Sequence, residues 1–145
     1  MAASPTSRSK DYCRRMGWDA AVVERWNQWA KIRQDLYGFA DLLVIRPETR
    51  GLLAVQATSG NNVAARISKI SNLSMVRKWL HADLAIEVWG WRKLKVKRGG
   101  KAVRWTLRRV AAHLNGLRAS GIEWVELDDP SDSGIPLLDV PGEAV

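Results

Sequence analysis

Three polar side chains interrupt two apolar runs in a pattern that chemistry can use. Asp41 opens LLVI, and Gln56 and Thr58 lie within LLAVQAT, the two runs being joined by the polar stretch RPETRG. Each run is long enough for one buried strand, and Pro47 and Gly51 between them predict a β-hairpin. Strand alternation then sets Leu53, Val55 and Ala57 on one face and Ala54, Gln56 and Thr58 on the other, so Asp41, Gln56 and Thr58 can converge. A carboxylate at one strand start, facing an i, i+2 polar pair on its neighbour, suits a hard divalent cation held against a phosphate. Asp35 has two readings: an Asx cap of its own loop, or a second carboxylate beside Asp41, since Mg²⁺ prefers oxygen ligands supplemented by water and phosphate. Gln56 sits in an apolar strand, where an unpaired amide costs a few kcal/mol. It therefore needs a partner, either a cation at its carbonyl oxygen or a neighbouring loop.

Several elements must position these groups. Ser4-Pro5 starts a first helix that Gly17 ends, carrying Tyr12, Cys13 and Met16. Residues Trp18 to Trp26 alternate as a strand, with a helix running on to Lys31 as the other reading. Asn62 is expected to cap a helix to about Leu80, whose core face is Val63, Ile67, Ile70, Leu73 and Leu80. Arg66 and Lys69 share its other side, as a solvated or phosphate-contacting pair or as cations reaching back toward Thr58. The loop Ser59, Gly60, Asn61, Asn62 offers backbone N–H groups to a phosphate. Leu84 to Trp91 reads as a strand, with Glu87 either ion-paired or an outlying acid. A basic β-hairpin follows, turning at Gly99-Gly100 and carrying Arg92, Lys93, Lys95, Lys97, Arg98, Lys101, Arg104, Arg108 and Arg109. Such an arm can track a duplex backbone or enter a groove, and Trp91 and Trp105 beside it can stack on unpaired bases. Val110 to Leu117 is expected to be a short helix and Gly121 to Leu127 a last strand or extended segment. The division is one domain over 1–127 and an acidic, proline-rich tail over 128–145.

The chain has 145 residues, 46% of them hydrophobic, which is enough for one core. A single cysteine, Cys13, excludes an intrachain disulfide and a cysteine-based zinc site, and its neighbours place it on a packed helix face. No apolar run approaches the roughly 20 residues that cross a bilayer, and MAASPTSRSK lacks a signal-peptide core, so a cytosolic protein is expected. The formal net charge of +8 conceals a split: residues 1–119 hold all 23 bases against 8 acids, a net +15. That surface suits a polyanion, nucleic acid before an acidic membrane face, because each neutralised phosphate releases counterions.

Gly38-Phe39-Ala40-Asp41 followed by Gln56-Ala57-Thr58 resembles the frame of the PD-(D/E)xK nucleases, also called restriction-endonuclease-like, and more loosely their phage-encoded, resolvase-like members. The likeness spans roughly Ser7 to Trp91. It departs at Gln56, where the family more often has an acid, and at Thr58, where it has lysine. The resemblance implies an α/β fold, a central mixed sheet of about four to five strands flanked by helices. It implies a Mg²⁺- or Mn²⁺-dependent endonuclease acting on duplex or branched DNA in a bacterial or phage-infected cytosol, with a homodimer as a further expectation. The implied metal ligands are Asp41 and Gln56, with Asp35 or Glu24 adding to them. Asp11 and Glu24 are the upstream acids for such a ligand; each has as its other reading a surface ion pair with Arg14, Arg15 or Arg25. The implied catalytic set is Asp41, Gln56, Thr58 and Lys69, Lys69 standing in for the missing motif lysine. DNA contacts are expected from Arg33, Arg66, Arg92, Lys93, Lys95, Lys97, Arg98, Lys101 and Arg104. Two other readings remain: a nuclease fold that binds nucleic acid without cutting it, and a viral protein that grips an acidic host partner.

Overall fold

A computed structural model describes residues 3–128. Helix α1, Pro5–Met16, begins where Ser4 accepts the Ser7 N–H at 3.1 Å and ends at Gly17, whose φ of 76° only glycine adopts freely. The expected strand Trp18 to Trp26 is split into β1, Asp19–Val22, and β2, Arg25–Asn27. β1 pairs with β4, Leu42–Ile45, only as far as Val22 against Leu42, so the chain beyond Val22 has no ladder to continue. Instead the Val23 N–H (2.9 Å) and Glu24 N–H (3.4 Å) both donate to the Asp41 carbonyl, and β2 pairs with β3, Ile32–Gln34, as a separate ribbon.

The expected central hairpin is present as β4 and β5, Leu52–Ser59, in antiparallel register with Leu42 opposite Val55. A 3-10 turn, Gly60–Asn62, leads into α2, Val63–Ser71, and α3, Ser74–His81. These replace the single helix expected from Asn62, whose side chain makes no capping bond. The break falls where Ser71 Oγ and Asn72 Nδ2 donate to the carbonyls of Ile67 and Ser68, side-chain bonds that compete with helix continuation. The apolar positions keep their common direction: Val63 and Ile70 are fully buried, with Ile67, Leu73 and Leu80 packed against the same cluster.

β5 runs parallel to β6, Ala85–Lys95, and α2 and α3 form the crossover that such a pair requires. β7, Val103–Leu114, and β8, Ile122–Leu127, complete a mixed six-stranded sheet in the order β1-β4-β5-β6-β7-β8. Among the described residues the sheet has six strands rather than the expected about four to five, and Val110 to Leu114 is strand, not helix. The Ala111-Ala112 pair favours helix locally, but β6 and β8 supply hydrogen-bonding edges on both sides and bury both residues. The β6–β7 turn also differs: Gly100 N–H donates to the Lys97 carbonyl and Gly99 has φ 78°, so Arg98-Gly99 are its central residues. The predicted tail lies outside the described residues from Asp129 onward.

Two cores sandwich the sheet. On one side Tyr12, Cys13 and Trp18 cover Leu53, Val55, Trp89, Trp91 and Leu107, with Tyr12 edge-on to Trp89 at 5.3 Å between ring centroids. Cys13 is inert there, its thiol pushed up to about 12 by burial. On the other side α2 and α3 cover Ala54, Ile86, Val88, Val110 and Ala112. Glu87 is ion-paired: its carboxylate accepts from Arg109 Nε (2.8 Å) and Nη2 (3.1 Å) and from Trp89 Nε1 (2.8 Å). Arg109 is thereby turned inward, away from the basic face expected of it. Among the described residues no helix is long and apolar enough to cross a membrane.

Candidate functional site

The loop before β4 decides which carboxylates meet. Tyr37 (φ 54°) and Gly38 (φ 84°) form a tight turn closed by Phe39 N–H to the Leu36 carbonyl at 3.1 Å, and Phe39 and Ala40 are fully buried. The turn folds Asp35 back beside Asp41. The kink at Val23 and Glu24, tied to the Asp41 carbonyl, brings a third acid. Glu24, Asp35 and Asp41 each offer an oxygen, and these oxygens lie within 4.8 Å of one another.

Asp41 is buried, and its Oδ2 accepts from Gln56 Nε2 at 2.7 Å and from the Ala57 N–H at 2.8 Å. Burial, then a hydrogen bond that protonated Asp41 donates to the Asp35 carboxylate and the like charge of that carboxylate, push Asp41 from its ordinary 3.8 up to about 8, against the two N–H donors that favour the anion. Gln56 is 2% exposed, and its Oε1 has no hydrogen-bond partner. A buried carbonyl oxygen left without a donor, beside a carboxylate that burial and a neighbouring acid hold protonated, is the deficit that a cation relieves. The donor set is all oxygen, which suits Mg²⁺ or Mn²⁺ rather than a thiolate metal.

These groups floor an open cleft of about 1080 Å³ at the C-terminal end of β5, lined also by Thr58, Arg33, Arg66 and Lys69. Thr58 is buried and brings a hydroxyl but no charge. The positive charge comes from α2 and from the β2–β3 ribbon, with Arg33 Nη1 3.5 Å from Glu24 Oε1. Asp11 is elsewhere, paired with Arg14.

No family model, curated protein or solved structure matches the chain.

The basic arm approaches the cleft without lining it. Arg92 borders the turn that opens α2, since a Cβ on Gly60 would lie 3.0 Å from the Arg92 Cβ. Strand alternation sends Lys93 and Lys95 to the α1 side and Arg92 to the other, while Lys97, Arg98 and Lys101 crown the exposed tip. Arg104 shares the Arg92 side of the β6–β7 ladder, where Leu94 stands opposite it. Arg108 pairs with Glu126. The aromatics expected to stack on bases are engaged: Trp91 is buried with Nε1 on Ser9 Oγ at 2.9 Å, and Arg8 lies over the Trp105 ring at 3.4 Å. Sequence reasoning missed the β2–β3 ribbon, whose Arg25 and Gln34 also line the cleft. Asn27, a strong turn former between RW and IRQ, is the signal that marks it.

Proposed function

We propose that the protein is a metal-dependent nuclease with a restriction-endonuclease-like core, hydrolysing phosphodiester bonds in DNA. One observation carries the reading: three carboxylate oxygens within 4.8 Å of one another beside the partnerless, buried Gln56 Oε1. Asp41, Asp35, Glu24 and Gln56 would hold the ion. When bound, it supplies Lewis-acid neutralisation of the phosphate and a more acidic water.

The chain's own groups do the rest. Gln56 Nε2 and the Ala57 N–H fix one Asp41 oxygen, so the carboxylate presents one orientation to the cleft. Lys69 and Arg66 bring fixed positive charge to the cleft wall, where it offsets negative charge developing on the phosphoryl oxygens. Thr58 orients substrate by hydrogen bonding only. A second reading, a nuclease fold that binds DNA without cutting, draws support from that uncharged Thr58.

A nicking assay separates the two. Plasmid, linear duplex and four-way junction are incubated with Mg²⁺ or Mn²⁺ and with wild type, Asp41→Ala or Lys69→Ala. The nuclease reading expects metal-dependent cutting that Asp41→Ala abolishes and that Lys69→Ala slows by roughly a hundredfold or more without weakening metal binding. Binding by wild type with no cutting on any substrate sinks the nuclease reading and leaves the binder.

A further inference from the structure

The β2–β3 ribbon exposes the two most solvated tryptophans among the described residues: Trp26 is 57% exposed and Trp29 89%. Their presentation is not slack. Asn27 Oδ1 accepts the backbone N–H groups of Trp29 and Ala30, each at 3.0 Å, and Lys31, at φ 59°, donates its N–H to the Asn27 carbonyl at 2.8 Å. A turn locked by three bonds holds a large apolar ring out in water, which a folded domain has no internal reason to do.

Position and charge say what the rings meet. Arg25 and Gln34 line the carboxylate cleft and also a hollow of about 300 Å³ bordered by Trp26 and Trp29, so the two spaces share a wall. Trp26 stands directly opposite Arg33, the cation paired with Glu24 in the cleft. Arg25 and Lys31 add positive charge to the same ribbon. A ligand that suits cations and flat aromatic faces in alternation carries phosphates and π-faces in alternation, which is single-stranded nucleic acid. Paired duplex keeps its base faces stacked inside and offers none along its length.

We infer that the β2–β3 ribbon is a stacking platform for unpaired nucleobases next to the phosphate held in the cleft. The inference rests on the proposed nuclease reading for that phosphate, and it names the preferred substrate as nucleic acid with unpaired nucleotides: a flap, a gap or a single strand.

The test compares a blunt duplex with one of equal length bearing a single-stranded extension that carries 2-aminopurine. Binding is measured in EDTA, where no cutting interferes. Trp26→Ala/Trp29→Ala is expected to weaken binding of the extended substrate roughly tenfold or more, the loss of a stacked base, and of the blunt duplex less than twofold. Wild type quenches the 2-aminopurine, the double variant does not, and Trp29→Phe retains quenching. Because Trp29 is nearly fully exposed, an unchanged Tm accompanies these results. Equal losses on both substrates, no loss on either, or unaltered 2-aminopurine emission overturns the inference. So does sedimentation showing that the tryptophans instead join two copies of the chain. Absence of cutting with quenching intact removes the nuclease reading and leaves the platform standing; cutting with no tryptophan effect does the reverse.

Discussion

In the proposed nuclease a proton and a divalent cation would compete for the Asp41 carboxylate. The folded protein holds that proton up to about pH 8, where an unfolded chain releases it near 3.8. Folded protein thus binds more protons than unfolded protein between those values, so this group makes metal-free stability fall as pH rises through the window. An ion at the cluster would displace the proton and offset the carboxylate crowding, so on the proposed reading its affinity rises over the same range. Asp41→Asn keeps the shape and an acceptor oxygen while removing the titration. Thermal unfolding in EDTA should therefore show Asp41→Asn melting above wild type at pH 8, with the two drawing together toward pH 4. With Mn²⁺ added, only wild type should gain stability, and more at pH 8 than at pH 6. A wild-type Tm independent of pH over this range would contradict the geometry. The residues at the centre of this site were legible because strand alternation is a strict period: Asp41, Gln56 and Thr58 reach one cleft as their spacing dictates. The meeting of Glu24 and Asp35 with Asp41 was less so. It depends on the Tyr37-Gly38 turn and on the chain leaving the sheet at Val23, and no periodic pattern encodes either.

At the scale of elements, the seat of α2 fixes where Lys69 and Arg66 stand. That seat depends on Gly90 in β6, since a Cβ there would lie 2.3 Å from Val63 Cγ2 and 3.3 Å from the Gly60 Cα. Val63 is fully buried and stiff about χ1, so it cannot swing aside. Gly90→Ala should cost about 1–3 kcal/mol of stability by overpacking, measured by urea unfolding, and on the nuclease reading should lower cutting by more than the unfolded fraction explains because α2 is lifted from the cleft. Gly90→Ala with native stability and native cutting would show that the sheet gives way elsewhere. The elements divide by what encodes them. Helix α1 and the β4–β5 hairpin carry local signals, Ser4-Pro5 and Gly17 at the helix ends and Pro47 and Gly51 in the turn, and they formed as expected. Residues Val110 to Leu114 carry a helical bias that β6 and β8 override, and pairing across such distances has no local signature. The break at Ser71-Asn72 comes from side chains capturing carbonyls one turn back, which apolar spacing alone does not report.

Across the whole molecule, charge is arranged as a track leading to the cleft. The described residues carry all 23 bases, with Lys97, Arg98 and Lys101 at the arm tip, Arg92 at the turn opening α2, and Arg66, Lys69 and Arg33 in the cleft wall. The acids within the cleft are few and converge on one point, so an approaching polyanion would meet positive potential as far as the carboxylate cluster, where a divalent cation, on the proposed reading, would reverse the local sign. If arm and cleft grip one backbone together, binding should weaken steeply with salt, log K falling against log salt with a slope of about −0.9 per phosphate neutralised on duplex. The arm tip projects beyond both cores, so replacing its cations leaves folding untouched. Lys97→Ala/Arg98→Ala/Lys101→Ala should therefore keep the wild-type Tm, weaken duplex binding evenly across sequences, and flatten the salt slope by up to about 3, near one per lost contact. Fluorescence anisotropy between roughly 50 and 200 mM salt reads this directly. An unchanged slope in the triple variant would confine the nucleic-acid track to the cleft, the α2 face and the tryptophan ribbon, and would leave the arm as a strand pair that only extends the sheet.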